Sequence, residues 1–150
     1  MRLLQRAFVH HRHGFGRGAR GSGAILNVSS SASYFPTPGL APYGATKAFL
    51  TAFSEALMTE CEDAPGVRII GFCPSGMATN FQKAAGVKNE DSSVLMDPAK
   101  VARRVVDLAL TGRSGTYDHG PSTHAIKLLR RVLPGGLYRT LMGRMLLRQR

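Results

Sequence analysis

The chain is short of acids. Nine Asp and Glu stand against twenty Lys and Arg, for a formal net charge of +11. Residues 1–20 carry five arginines and no acid, and residues 122–150 carry one lysine, six arginines and no acid. Residues 21–121 hold eight basic and nine acidic side chains, so the basic excess belongs to two ends on a near-neutral body. Such ends attract anionic surfaces. Few aromatics lie beside them to stack on bases, which makes nucleic acid an unlikely partner. There are only two cysteines, Cys61 and Cys73, without metal-ligand spacing, and they are expected as buried free thiols in a reducing compartment. The His10, His11 and His13 cluster has no acid or cysteine near it, so no metal site is expected. His119 and His124 read as isolated surface residues. No apolar run approaches the roughly 20 residues that span a bilayer. The start lacks the apolar core and small-residue cleavage site of a secretory signal. A cytoplasmic chain is the expectation.

What is present reads as one α/β domain in 150 residues. "GAILNVSS" (Gly23–Ser30) is a buried strand, and "SASYFPTPGLAP" (Ser31–Pro42), with three prolines, is a loop. A helix starts at Tyr43 and runs to Cys61, with Phe49, Phe53 and Leu57 at steps of four as its apolar stripe. "VRIIGFC" (Val67–Cys73) is a second strand. "DPAKVARRVVDLAL" (Asp97–Leu110) is a second helix, with Asp97 as N-cap, Pro98 at its first position and Gly112 just past its end. "GTYDHG" fits a very short third strand. Strand, helix, strand, helix at this spacing predicts βαβ units and a parallel sheet. The chain divides into a basic Gly/His/Arg-rich segment (1–20), the α/β body (21–121) and a basic amphipathic tail (122–150) broken at "PGG".

One constellation suggests chemistry. Tyr43 and Lys47 stand four apart in "YGATK" and share a face at a helix start. Ser30 lies thirteen residues before Tyr43, at a strand's carboxyl end, and Thr79 follows the second strand in "PSGMAT". Ligands of open α/β sheets bind beyond the carboxyl ends of the strands, where these residues would converge.

The run "NVSSSAS…YGATKAF…VRIIGFCPSGMAT" resembles the short-chain dehydrogenase/reductase family over about Gly21 to Phe81, and its "Y-x-A-T-K-x-F" is similar to the hydroxysteroid and 3-ketoacyl reductase branch. The resemblance implies the C-terminal portion of a Rossmann-type doubly wound parallel sheet. It also implies an NAD(P)-dependent oxidoreductase that reduces a ketone or oxidises a secondary alcohol. In that reading Tyr43 is the proton donor and also a cofactor-binding residue, Lys47 its tuner and ribose ligand, and Ser30 the group that holds the carbonyl. Pro74, Ser75, Met77 and Thr79 match the positions around the nicotinamide. The residue types make physical sense: a free phenol titrates near ~10, and an ammonium beside a phenol favours the phenolate. The family also implies a homo-oligomer paired through the Tyr43–Cys61 helix.

Three departures bear on this reading. The family has Gly directly after the proline, where this chain has Ser75 and then Gly76, so a positive φ at Ser75 would be strained. Only 42 residues precede Tyr43, too few for the family's N-terminal dinucleotide-binding half with its Thr-Gly-x-x-x-Gly-x-Gly turn. "GRGARG" (Gly16–Gly21) fits G-x-G-x-x-G by letter but lacks a strand before it and a helix after it, and reads as a basic linker. Residues 1–20 contain no Asn for the family's water-ordering position, and "HHRHGFGRGARG" resembles nothing in the family, which suggests a misplaced start or a frame shift. A non-enzymatic alternative is therefore kept: a truncated remnant or interaction module that pairs with a full-length relative. The tail, with Leu, Met and Val among arginines, is a candidate for peripheral membrane contact or for packing over the pocket.

Overall fold

The structure, a computed structural model, describes residues 22–64, 66–84, 86 and 95–147. The His10–His13 cluster and "GRGARG" lie outside the described residues. In chain order the elements are β1 (Gly23–Val28), a 3-10 turn (Ser31–Tyr34), α1 (Ala41–Glu60), β2 (Val67–Pro74) and α2 (Phe81–Ala84). They continue with α3 (Pro98–Thr111), β3 (Gly115–His119), α4 (Pro121–Val132) and α5 (Gly135–Leu147).

The three strands form a parallel sheet in the order β1-β2-β3, with Gly23 opposite Val67, Val28 opposite Phe72, and Pro74 opposite His119. β2 lies in the middle, and its residues from Ile69 to Pro74 are all buried. Successive side chains of a strand point to opposite faces. Ile70 and Phe72 therefore join Val101 and Leu108 of α3 in a buried cluster, flanked by Leu26, Val105 and Tyr117. Gly71 and Cys73 face α1: a Cβ at Gly71 would lie 3.4 Å from the Ser54 Cβ, and Cys73 Sγ is 3.6 Å from Thr51 Oγ1. A strand covered on both faces explains why β2 reads as an unbroken apolar run.

The helix boundaries follow local chemistry. The Asp97 carboxylate accepts from Ala99 N at 2.8 Å, and Gly112 N donates to Leu108 O at 2.8 Å, as expected for the two ends of α3. Arg68 of β2 donates to Gly112 O at 2.7 Å and Ala109 O at 3.0 Å, placing a cation on the electronegative end of that helix. α1 starts two residues earlier than expected, with Pro42 in its first turn. β1 stops at Val28 rather than Ser30, because the Ser30 hydroxyl turns back to accept from Ala32 N at 3.2 Å and caps the 3-10 turn. Both cysteines are buried and free. The basic tail forms α4 and α5. Thr123 is fully buried, and Tyr138 Oη donates to Tyr34 O at 2.8 Å, so both helices pack onto the body.

Of the α1 stripe, Phe49 is 50% exposed and stacks on Phe53 at 5.7 Å, while Phe53 and Leu57 are half-buried. Two expectations are corrected. β1 is not a buried strand: Ile25, Leu26 and Asn27 are half-buried and Gly23, Ala24 and Val28 exposed, because among the described residues it pairs on one side only. His119 is not a surface residue but half-buried against the Phe72 ring at 5.5 Å; His124 is exposed.

The concern about Ser75 also resolves. Among the described residues only glycines have positive φ, so Ser75 is unstrained. The left-handed backbone falls instead on Gly120, at φ 101°, where a Cβ would collide with Ser75 Oγ. Gly120→Ala is expected to lose roughly 1–3 kcal/mol of stability through strain and that collision, measured by denaturant unfolding.

Candidate active site

Lys47 is tied twice to the end of β1. Its Nζ donates to Val28 O at 2.9 Å, and its carbonyl accepts from Ser29 Oγ at 2.8 Å. The ammonium lies 5.7 Å from the centroid of the Tyr43 ring, within cation–π range. Burial holds the Lys47 pKa below the usual lysine value, with a weaker opposing contribution from Cys73. The Tyr43 ring also packs on Phe81 at 4.8 Å, so the segment after β2 meets the start of α1 beside it. Ser30, Tyr43 and Lys47 are each half-buried.

The other expected residues divide into two groups. Pro74 is the buried last residue of β2. The Ser75 hydroxyl lies 3.2 Å from His119 O and 3.1 Å from Met96 Sδ; its single proton suits the carbonyl, the stronger acceptor. Met77 pairs with Met96 in a short parallel bridge and packs against the α3 cluster. Thr79 is exposed, and its Oγ1 accepts from Phe81 N at 3.3 Å, which is a helix-capping contact. The structure therefore gathers Ser30, Tyr43 and Lys47 around the end of β1. It engages the Ser75 and Met77 side chains with β3 and with the segment leading into α3.

Beneath this surface runs a polar chain that the sequence did not announce. The one Ser29 proton goes to Lys47 O, so Ser29 accepts from Thr51 Oγ1 at 2.7 Å. That leaves Thr51 to accept the weak Cys73 S–H contact at 3.6 Å. On the far side of Cys73, Tyr34 Oη donates to Asp118 Oδ1 at 2.8 Å, and Lys127 Nζ donates to Asp118 Oδ2 at 2.8 Å. The only sequence signal for any of this is spacing: Tyr43, Lys47, Thr51 and Ser54 fall on one face of α1.

Two of the grooves among the described residues lie elsewhere. One of about 810 Å³ is lined by Tyr34, Ala48, Thr51, Glu55, Lys127 and Arg130. Another of about 710 Å³ is lined by Met96, Lys100, Arg104, Asp107 and His119. Tyr43 and Lys47 line neither. The strand-end cluster is the better candidate because that is where charge, hydroxyls and strand termini coincide.

The short chain dehydrogenase family profile matches residues 5–90, more than half of the sequence. The chain belongs to the short chain dehydrogenase family. It is 43% identical over 65 residues to the very-long-chain 3-oxoacyl-CoA reductase-A of Danio rerio, covering 43% of this chain and 20% of that protein. It is 34% identical over 96 residues to hydroxysteroid dehydrogenase-like protein 1 of Gallus gallus, covering 63% of this chain and 29% of that protein. Its fold is similar to a short chain dehydrogenase of Burkholderia cenocepacia solved with NADP, at TM-score 0.63 and 22% identity, covering 83% of this chain and 49% of that one. It is also similar to a 7beta-hydroxysteroid dehydrogenase, at TM-score 0.69 and 21% identity, covering 93% of this chain and 54% of that one. The chain thus spans about a fifth to a third of these curated relatives and about half of these solved structures. The α/β fold expected from the sequence is the one observed.

Burial, and then the Cys73 and Asp118 contacts, raise the Tyr34 pKa far above the ordinary value of 10.0. Below pH 10.0 Tyr34 keeps its proton in both the folded and unfolded chain. Above it the unfolded chain releases the proton and the folded chain does not, so stability falls by up to ~1.4 kcal/mol per pH unit. Tyr138, also raised by burial, adds to this trend. Lys47 acts in the opposite sense, but only up to its ordinary value of 10.5. Denaturant midpoints measured above that pH are expected to decline less steeply in Tyr34→Phe than in the parent.

Proposed function

We propose that this chain carries the reacting portion of an NAD(P)-dependent oxidoreductase acting on a small carbonyl or secondary alcohol. The observation that carries the reading is Lys47, fixed to the β1 terminus with its ammonium over the Tyr43 ring. The residues suit the nicotinamide end of such a cofactor. Of the three Lys47 ammonium protons one goes to Val28 O, which leaves donors for ribose hydroxyls. Pro74, Ser75, Met77 and Thr79 lead away from the β2 terminus as the family's nicotinamide-facing segment does, with the Ser75 amide and hydroxyl both committed to His119 O.

The nicotinamide, when bound, supplies or takes up the hydride. In the reducing direction the Tyr43 hydroxyl gives its proton to the carbonyl oxygen as the carbon gains the hydride, and the Lys47 charge steadies the phenolate left behind. Ser30 holds the carbonyl oxygen beside Tyr43 by turning its hydroxyl proton outward while its oxygen still accepts from Ala32 N. The closeness of the 3-oxoacyl-CoA and hydroxysteroid relatives supports a ketone or secondary alcohol as the reacting group.

The test is NADH and NADPH binding by the purified chain, followed by turnover with simple ketones. Lys47→Ala is expected to weaken cofactor binding, and Tyr43→Phe to lower turnover about 10²–10⁴-fold while leaving cofactor binding near that of the parent. Absence of binding to either cofactor would count against an active chain and favour the second reading, an interaction module that pairs with a full-length relative. That reading has its own support: Phe49 on α1 is 50% exposed and stacked on the half-buried Phe53, an apolar pair that also suits a homo-oligomer paired through this helix. Phe49→Glu is expected to shift a dimer to monomer in sedimentation velocity, with the fold unchanged.

A further inference from the structure

The exposed apolar surface of this protein is concentrated at one end of the chain. Of eleven exposed large apolar side chains among the described residues, six lie on α4 and α5. On α5, Leu137, Leu141 and Met145 are 57%, 40% and 51% exposed and recur every fourth residue, so they form one stripe along the helix. The stripe flanks the face that holds α5 in place, where Tyr138 and Met142 are buried. Arg144, three residues past Leu141 and seven past Leu137, borders the stripe on the side away from that anchor. Across residues 121–147 there are five cations, Lys127, Arg130, Arg131, Arg139 and Arg144, and no acid, with Arg130 turned to Ser33 O at 3.4 Å; Arg148 and Arg150 follow in the sequence. Asp118 of β3, the acid that reaches α4, is already paired with Lys127 and has a side chain only 8% exposed.

We propose that α5 docks on an anionic lipid surface, with Leu137, Leu141 and Met145 entering the acyl boundary and Arg144 reaching the headgroups. A narrow aliphatic stripe with the long Arg144 side chain along one border fits that boundary, where the stem lies against apolar surface and the head remains among phosphates. A second copy of the chain fits less well, because pairing this face with itself would oppose cation to cation. No helix among the described residues is long and apolar enough to cross a membrane, so the contact is peripheral. The proposal is independent of the oxidoreductase reading, since Tyr43 and Lys47 take no part in it.

Co-sedimentation of the purified chain with phosphatidylcholine vesicles, with and without phosphatidylserine, tests it. Binding is expected to be about tenfold stronger with the anionic lipid and to weaken as salt is raised. Leu141→Ser and Arg144→Gln should each reduce it while keeping the parent's thermal melt, because both side chains are exposed. Equal binding to both vesicle types, binding to neither, or parent-like binding by Leu141→Ser overturns the proposal. So does a dimer that Leu141→Ser disperses, which would assign the stripe to a second copy.

Discussion

The junction between Lys47 and the end of β1 organises the rest of this protein. Lys47 gives a proton to Val28 O through its side chain and receives one from Ser29 at its carbonyl. The last residue of the strand and the one that follows it thus grip one residue of the helix at both its ends. Hydrogen bonds that involve a charged group are worth more than neutral ones, and a lysine pinned this way loses most of its freedom to swing. The position of the ammonium over Tyr43 is therefore set by the backbone of the sheet and does not depend on the rotamer preferences of a flexible side chain.

That grip needs α1 to lie close to the sheet, and the contact surface is built from small groups. Gly71 sits under Ser54, Asn27 donates to Ser54 at 2.9 Å, and Thr51 meets Ser29. Large side chains there would lift the helix and open the Lys47–Val28 bond. Phe49 of α1 is correspondingly exposed. Buried polar chains of this kind tolerate little editing, because removing one member leaves the next without a partner in a low-dielectric setting.

Much of this was legible in the sequence. The apolar run of β2, the Asp97 cap and the Gly112 stop each rest on local chemistry, and each appears where expected, while β1 is shorter and more exposed than its apolar run suggests. Tyr43 and Lys47 were found because four residues of helix place them on one face. What escaped depends on contacts far apart in the chain. Tyr34 meets Asp118 across 84 residues, and no local pattern marks either one. The exposure of Phe49 also escaped, because helical periodicity shows that a stripe exists without showing how much of it is covered. Ser75 was judged against the backbone of relatives, whereas in this chain the unusual backbone angle lies at Gly120, beside it in space and 45 positions later in sequence.

One edge of the sheet has a further consequence. Among the described residues β1 pairs with β2 alone, and Val28, at its carboxyl end, is 40% exposed. The amide and carbonyl groups along its other side point outward in a row, which is a template for another strand. A strand added there in the parallel sense would end beside Val28, level with the Lys47 ammonium and the Ser30 hydroxyl. Whatever occupies that edge would therefore do more than close the sheet. It would also supply a wall to the cluster at the strand ends, so extension of the sheet and enclosure of the site become a single event.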